Sequence, residues 1–139
     1  MKRLTAVLAA LLTLVGLSGC GESFEKQNAE GTAYLAGLAR GIPNAEVHIA
    51  RYVVTGPGTI NHNVQLELRT ASVDPTVISG LLTQAFRVSV QTFEHQSGTT
   101  SSNFEVSVTD GAGTAHFPQE VGLSNYPSYP EVVEWLKTR

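Results

Sequence analysis

The chain has 139 residues with nine basic and 12 acidic side chains, which gives a formal net charge of −3 at neutral pH. An acidic chain lacks the cationic face that nucleic acids and anionic lipid headgroups require, so we expect neither as a partner. The only cysteine is Cys20, which excludes an intramolecular disulfide and a site built from several thiolates. The length suits one domain with its own hydrophobic core.

The first 20 residues have the pattern of an export signal. A basic start, Met1-Lys2-Arg3, precedes an uncharged apolar segment that runs from Leu4 to Leu17. As a helix this segment would span about 21 Å, which is short of the roughly 30 Å of a bilayer hydrocarbon core. The segment therefore predicts export rather than a membrane span.

The motif Leu17-Ser18-Gly19-Cys20 closes the apolar segment and places small residues before the cysteine. Together with the basic start, it resembles the signal peptide of bacterial lipoproteins. The resemblance implies that residues 1–19 are cleaved and that the Cys20 thiol receives a diacylglycerol, with a fatty acid such as palmitate as the anchor. It covers only the first 20 residues, and we recognise no family in residues 21–139.

The resemblance also implies a location in the bacterial cell envelope. Gly21 stands where an aspartate usually retains such proteins at the inner membrane of diderm bacteria, so a diderm host would permit transfer to the outer membrane. In a monoderm host the protein would stay on the outer side of the cytoplasmic membrane, and both locations remain open. Cleavage removes Lys2 and Arg3, which leaves seven basic residues and a net charge of about −5.

We divide the chain into a signal peptide (1–19), the lipidated cysteine with a short polar tether (20–30) and a single domain (31–139). A helical pattern begins within the tether and continues to about Ala39, although Gly31 and Gly37 weaken it. The later predicted elements are two strands, a helix, two further strands and a last helix: Glu46–Thr55, Val64–Thr70, Pro75–Glu94, Asn103–Thr109, Thr114–Pro118 and Pro130–Lys137.

This order, α-β-β-α-β-β-α, predicts an α+β fold with a four-stranded antiparallel sheet and helices on one face. Asp74 is the expected N-cap of the long helix, with Pro75 at its first position. In the first strand Val47, Ile49 and Val53 share one parity, which predicts that they face the core together.

No motif for catalysis, metal binding or cofactor binding is found. The four histidines (His48, His62, His95 and His116) have no ligand spacing, and neither a nucleophile elbow nor a nucleotide-binding glycine pattern occurs. Glu67 and Glu105 are both expected on the solvent side of strands, where two solvated charges are the simpler interpretation. We therefore expect no enzyme activity and no cofactor beyond the lipid on Cys20.

Tyr126, Tyr129 and Trp135 are the candidate interaction surface, because aromatic residues are enriched in interface cores. They equally suit a clamp that holds the last helix to the body of the domain. The outer sheet face and the loops at 56–63 and 97–102 are further candidate surfaces.

The sequence thus favours a membrane-anchored, non-catalytic binding module whose partner is an envelope protein, a glycan or a small ligand. Two other classes remain open. One is a prophage-type immunity or superinfection-exclusion lipoprotein, and the other is an envelope enzyme that uses residues from separate loops.

Overall fold

The computed structural model describes residues 24–56, 59–96 and 101–139, so Cys20, the signal peptide and parts of two predicted loops lie outside the described residues. Helix α1 covers residues 24–39. The later elements in chain order are β1 (Glu46–Thr55), β2 (Asn61–Arg69), α2 (Pro75–Gln96), β3 (Ser101–Thr109), β4 (Ala115–His116), a 3-10 helix (Pro118–Val121) and α3 (Tyr129–Leu136).

Helix α2 begins where the sequence predicts. The Asp74 carboxylate accepts a hydrogen bond from the Thr76 N–H at 2.8 Å, and the Asp74 carbonyl accepts one from the Ile78 N–H at 3.0 Å. The side chains that α2 buries are mostly apolar: Ile78, Leu81, Leu82, Ala85, Phe86, Val88, Ser89, Val90, Thr92 and Phe93. The hydroxyls of Ser89 and Thr92 donate to carbonyls one turn earlier, so these two polar groups are satisfied inside the helix.

The sheet has the strand order β1-β2-β3-β4 and is mixed. Strands β1 and β2 are antiparallel, β2 and β3 are parallel, and β3 and β4 are antiparallel. The prediction of an α+β fold with four strands is confirmed, whereas the prediction of a purely antiparallel sheet is wrong. The cause is α2, which carries the chain back to the starting end of β2 before β3 begins, so that β3 runs in the same direction as β2.

The last strand is shorter than predicted. Strand β4 contains only Ala115 and His116, and Pro118 begins a 3-10 helix instead of ending the strand. Proline suits the first position of a helix, because its fixed φ is compatible and its missing N–H would have no helical partner there.

A β-bulge in β1 changes which of its residues face the core. Val47 pairs with Leu68, but Ile49 pairs with Glu67, so one residue between them has no partner in the register. The expectation that Val47, Ile49 and Val53 share one face is therefore wrong. The fully buried side chains of β1 are Tyr52 and Val54.

One face of the sheet forms the core. The inward apolar side chains of β2 and β3 are each at most 3% exposed, and they are Val64, Leu66, Leu68, Phe104, Val106 and Val108. Helix α2 packs against both strands, and α3 contacts β3 and α2. The alternate residues of β2 and β3 are half-buried or exposed, which leaves the opposite face, here called the outer face, open to solvent.

Helix α1 closes the free edge of β1 with side-chain hydrogen bonds. The Val54 N–H donates to Asn28 Oδ1 at 2.7 Å, and the Tyr52 N–H donates to Thr32 Oγ1 at 2.9 Å. Gly31 permits this approach, because a Cβ at its position would lie 2.3 Å from Cδ1 of the Tyr52 ring. The glycine that weakens the helical pattern in the sequence is thus required by packing.

The substitutions Gly31→Ala and Gly37→Ala should have opposite effects on the free energy of unfolding. Gly31→Ala forces the buried Tyr52 ring to move and should destabilise the domain by about 1–3 kcal/mol. A Cβ at Gly37 meets no other atom within 4 Å, so Gly37→Ala should stabilise the domain by roughly 0.5–1 kcal/mol through helix propensity. Urea denaturation of both variants checks this, and equal effects would contradict the packing of α1 on Tyr52.

Candidate functional site

A groove crosses the outer face where β3 meets two later segments of the chain; it is here called the outer groove. Its volume is about 140 Å³, and it is lined by Gln65, Glu67, Glu105, Val106, Ser107, Phe117, Pro118, Asn125 and Tyr126. Ligand pockets for whole small molecules usually measure about 300–1,000 Å³. The outer groove therefore has room for a single side chain or a small headgroup.

Two exposed aromatic rings stand at the outer groove. Phe117 is 47% exposed and Tyr126 is 58% exposed, and both belong to the few large apolar side chains that the described residues leave in solvent. They lie nine positions apart in the sequence but line the same groove. Paired exposed aromatics beside polar groups are typical of a contact surface, because isolated apolar residues at a protein surface are common and mean little.

The segment that carries Phe117 is fixed by a charged cluster of Asp110, His116 and Glu120. His116 Nε2 donates to Asp110 Oδ2 at 3.0 Å, and its Nδ1 donates to Glu120 Oε2 at 2.7 Å. The other oxygen of Glu120 accepts the Phe117 N–H at 3.1 Å. The cluster therefore links the turn after β3 directly to the backbone of the exposed phenylalanine.

The cluster shifts the pKa values of its members in opposite directions. The hydrogen bonds to Asp110 and Glu120 raise the pKa of His116 above 6.5. The bond from His116 lowers the pKa of Asp110, as do the Thr114 and Ala112 N–H groups that it accepts. His116 likewise lowers the pKa of Glu120. The charged forms of all three groups thus stabilise one another.

The segment that carries Tyr126 is fixed by different contacts. Both the N–H and the hydroxyl of Ser124 donate to the carboxylate of Glu131, at 2.7 and 2.8 Å, and these bonds lower the pKa of Glu131. Just after Tyr126, the Pro127 carbonyl accepts the Phe104 N–H of β3 at 3.1 Å. Both aromatic walls of the outer groove are therefore held by defined hydrogen bonds.

The floor of the outer groove is acidic. In the parallel register Glu105 lies beside Gln65, and Glu67 lies beside Ser107, so the two carboxylates are diagonal neighbours on the outer face. None of the residues that line the groove is basic. The sequence suggested two separate solvated charges, and the structure brings them into one groove.

The edge of β3 has no paired strand at Val106, although that residue is only 3% exposed. The Phe104 N–H points away from β2 to Pro127, and the Thr109 carbonyl points towards β2, where it accepts the Thr70 N–H. By the alternation of a strand, the N–H and C=O of Val106 point away from β2 as well. Strand β4 pairs only with Val108 and Thr109, so Val106 presents its backbone groups in the groove that it lines.

The three aromatic residues of the predicted interaction surface occupy different environments. Tyr126 lines the outer groove. Tyr129 packs on Phe93 with ring centroids 4.8 Å apart and donates its hydroxyl to Glu94 at 2.7 Å. Trp135 donates its indole N–H to the Val121 carbonyl at 2.9 Å. Tyr129 and Trp135 thus make the contacts of the clamp interpretation, whereas Tyr126 is available to a partner.

Phe117 was missed because the sequence placed it inside a predicted strand that ends at Pro118. The usable signal was Pro118 followed by Glu120, since an acidic residue at the third position of a helix can accept the N–H of the residue before that helix.

The histidines are distributed over separate environments. His62 was expected in a turn but lies buried on β2, where burial lowers its pKa and its Nδ1 is hydrogen-bonded to the hydroxyl of Tyr52. His48 contacts Arg69, and His95 stacks on Tyr34. Among the residues that the structure describes, no group of three or more His, Cys, Asp or Glu side chains is arranged to hold a metal ion.

A second cavity, of about 240 Å³, brings Ser79 near His116 and Glu120. Serine beside histidine and a carboxylate has the composition of a hydrolytic site. Here, however, both ring nitrogens of His116 are bonded to carboxylates, so the ring has no free nitrogen to accept a proton from Ser79. The arrangement is that of a structural ion cluster.

Comparison with known proteins gives no relative: no family model, curated protein or solved structure matches the chain. Within the described segments, no helix has the length and apolar character needed to cross a membrane.

The stability that the Asp110–His116–Glu120 cluster contributes should depend on pH. Because the pKa of His116 is raised, its contribution is complete below pH 6.5 and is lost as the pH rises through the folded-state value. The two carboxylates have lowered pKa values, so their contribution is present above about pH 4.5 and is lost in acid. The cluster should therefore be most stabilising at about pH 5–6.5.

The variant His116→Gln isolates this effect. The difference in free energy of unfolding between wild type and variant should shrink as the pH rises from 6 to 9, measured by urea denaturation. The subtraction is needed because burial lowers the pKa of His62, which makes stability rise with pH in both proteins. A difference that is constant over this range would contradict the assigned contacts of His116.

Proposed function

We propose that the chain is a bacterial envelope lipoprotein held at the membrane by lipid on Cys20, and that its domain is a non-catalytic binding module. Its place would be the outer side of the cytoplasmic membrane or, in a diderm host, the outer membrane. The basic start, the apolar segment and the Leu17-Ser18-Gly19-Cys20 motif support the anchor.

The outer groove supports the binding role. The observation that carries it is that Phe117 and Tyr126 come from two separately fixed segments and both stand exposed over one acidic floor. Exposed apolar rings cost free energy in water, and a partner that covers them recovers it. The groove is too small to enclose a whole metabolite, which favours an envelope protein or a glycan as the partner.

The test is carried out in intact cells and has two readouts. Cells are grown with an alkyne-bearing fatty acid, and a photo-crosslinking phenylalanine analogue replaces Tyr126. The matched control places the same analogue at Gln91, an exposed position of α2 on the other side of the domain.

We expect the fatty-acid label on the wild-type chain and none on Cys20→Ser, which should also leave the membrane fraction. An unlabelled wild type would contradict the anchor. We expect light-dependent adducts with one envelope component from position 126 and none from position 91. Equal adducts from both positions, or none from position 126, would contradict the use of the outer groove.

A further inference from the structure

We infer that the outer groove takes the basic side chain of a lysine or arginine of a partner protein. The inference rests on the proposed function, because it names the partner chemistry of the same groove. It is carried by two independent features of the groove: its charge and its aromatic walls.

The charge of the groove matches a cation. Glu67 and Glu105 both line it, no basic residue lines it, and the whole mature chain is acidic. Arg51 lies in the same row as Gln65 and Glu105 but one strand further away, on β1. Arg51 lines a neighbouring cavity with Glu105, and a lysine or arginine that enters the groove would add a cation between Glu67 and Glu105. Charge-assisted hydrogen bonds are among the stronger polar contacts.

The aromatic walls also suit a cation with an aliphatic stem. The ring faces of Phe117 and Tyr126 can cover the methylene groups of the stem, and an aromatic ring attracts a cation within about 6 Å of its centroid. An anionic partner would face two carboxylates, and a purely apolar side chain would form no polar contact with either of them. The combination of acids and rings thus selects a basic side chain.

Peptide titration of the lipid-anchored protein, in detergent micelles, tests the inference. The probe is a blocked five-residue peptide of threonine and valine with a central lysine. The matched peptide has norleucine at the centre, which keeps the stem and removes the charge. Binding is followed by the NMR shifts of the Val106 amide and the Tyr126 ring.

We expect the lysine peptide to bind at least about tenfold more tightly than the norleucine peptide. Glu105→Gln should lower the affinity for the lysine peptide by about tenfold. Glu25→Gln, which removes one exposed charge on α1, should change this affinity by less than about twofold. Tyr126→Ala should weaken binding, and Tyr34→Ala, at another exposed tyrosine, should not. Thermal unfolding should show that all four variants remain folded, because the altered side chains are exposed.

Equal binding of the two peptides would overturn the inference, as would lysine-peptide binding that is insensitive to Glu105→Gln. If the NMR signals of the Tyr126 ring shift with a cell-wall glycan fragment and not with the lysine peptide, the inference is also overturned. The groove would then remain a binding site. Loss of crosslinking from position 126 in cells is the separate result that would overturn the proposed function itself.

Discussion

The parallel pairing of β2 and β3 is the constraint on which the rest of the structure depends. Two adjacent parallel strands need a connection that returns the chain along their whole length. Helix α2 has 22 residues and is about 33 Å long, and each nine-residue strand is about 30 Å long, so the helix matches the distance that it must cover. Its apolar stripe then covers the inward side chains of both strands, and this contact forms most of the core.

The sheet is closed differently at its two sides, at β1 and at β3. At β1, the side chains of Asn28 and Thr32 bond to the strand backbone and close the edge. At β3, the two residues of β4 cover one end and Pro127 covers a position further back, which leaves Val106 between them. Open strand edges are usually protected from other chains. Val106 itself is only 3% exposed, so a partner would contact the exposed rings of Phe117 and Tyr126 beside it rather than its backbone.

The elements of the fold were largely predictable from the sequence, and their pairing was not. The bounds of β1 and the start of α2 follow from β-branched residues and from the Asp74-Pro75 cap. The parallel pairing was missed because the sequence was interpreted as two hairpins, although a long helix between two strands is the usual connection of a parallel pair. The prediction of which β1 residues share a face was wrong, because the bulge between Val47 and Ile49 reverses the inward and outward alternation on its two sides.

The site was less predictable, because it joins residues that are far apart in the chain. Glu67, Glu105, Phe117 and Tyr126 come from four segments. The pairing of β2 with β3 brings the two carboxylates together, and the contacts of Glu120 and Pro127 add the two rings. His62 shares the parity of Val64 and Leu66, so its burial was readable from the strand pattern once β2 is extended by three residues.

Native-state hydrogen exchange at three amides of β3 tests most directly whether this edge is unpaired in its middle. The Phe104 amide is bonded to Pro127, and the Val108 amide faces its partner on β4. The account predicts that both exchange slowly and that the Val106 amide between them exchanges at least about tenfold faster. Equal protection of all three amides would show that the edge is covered, and would contradict the account.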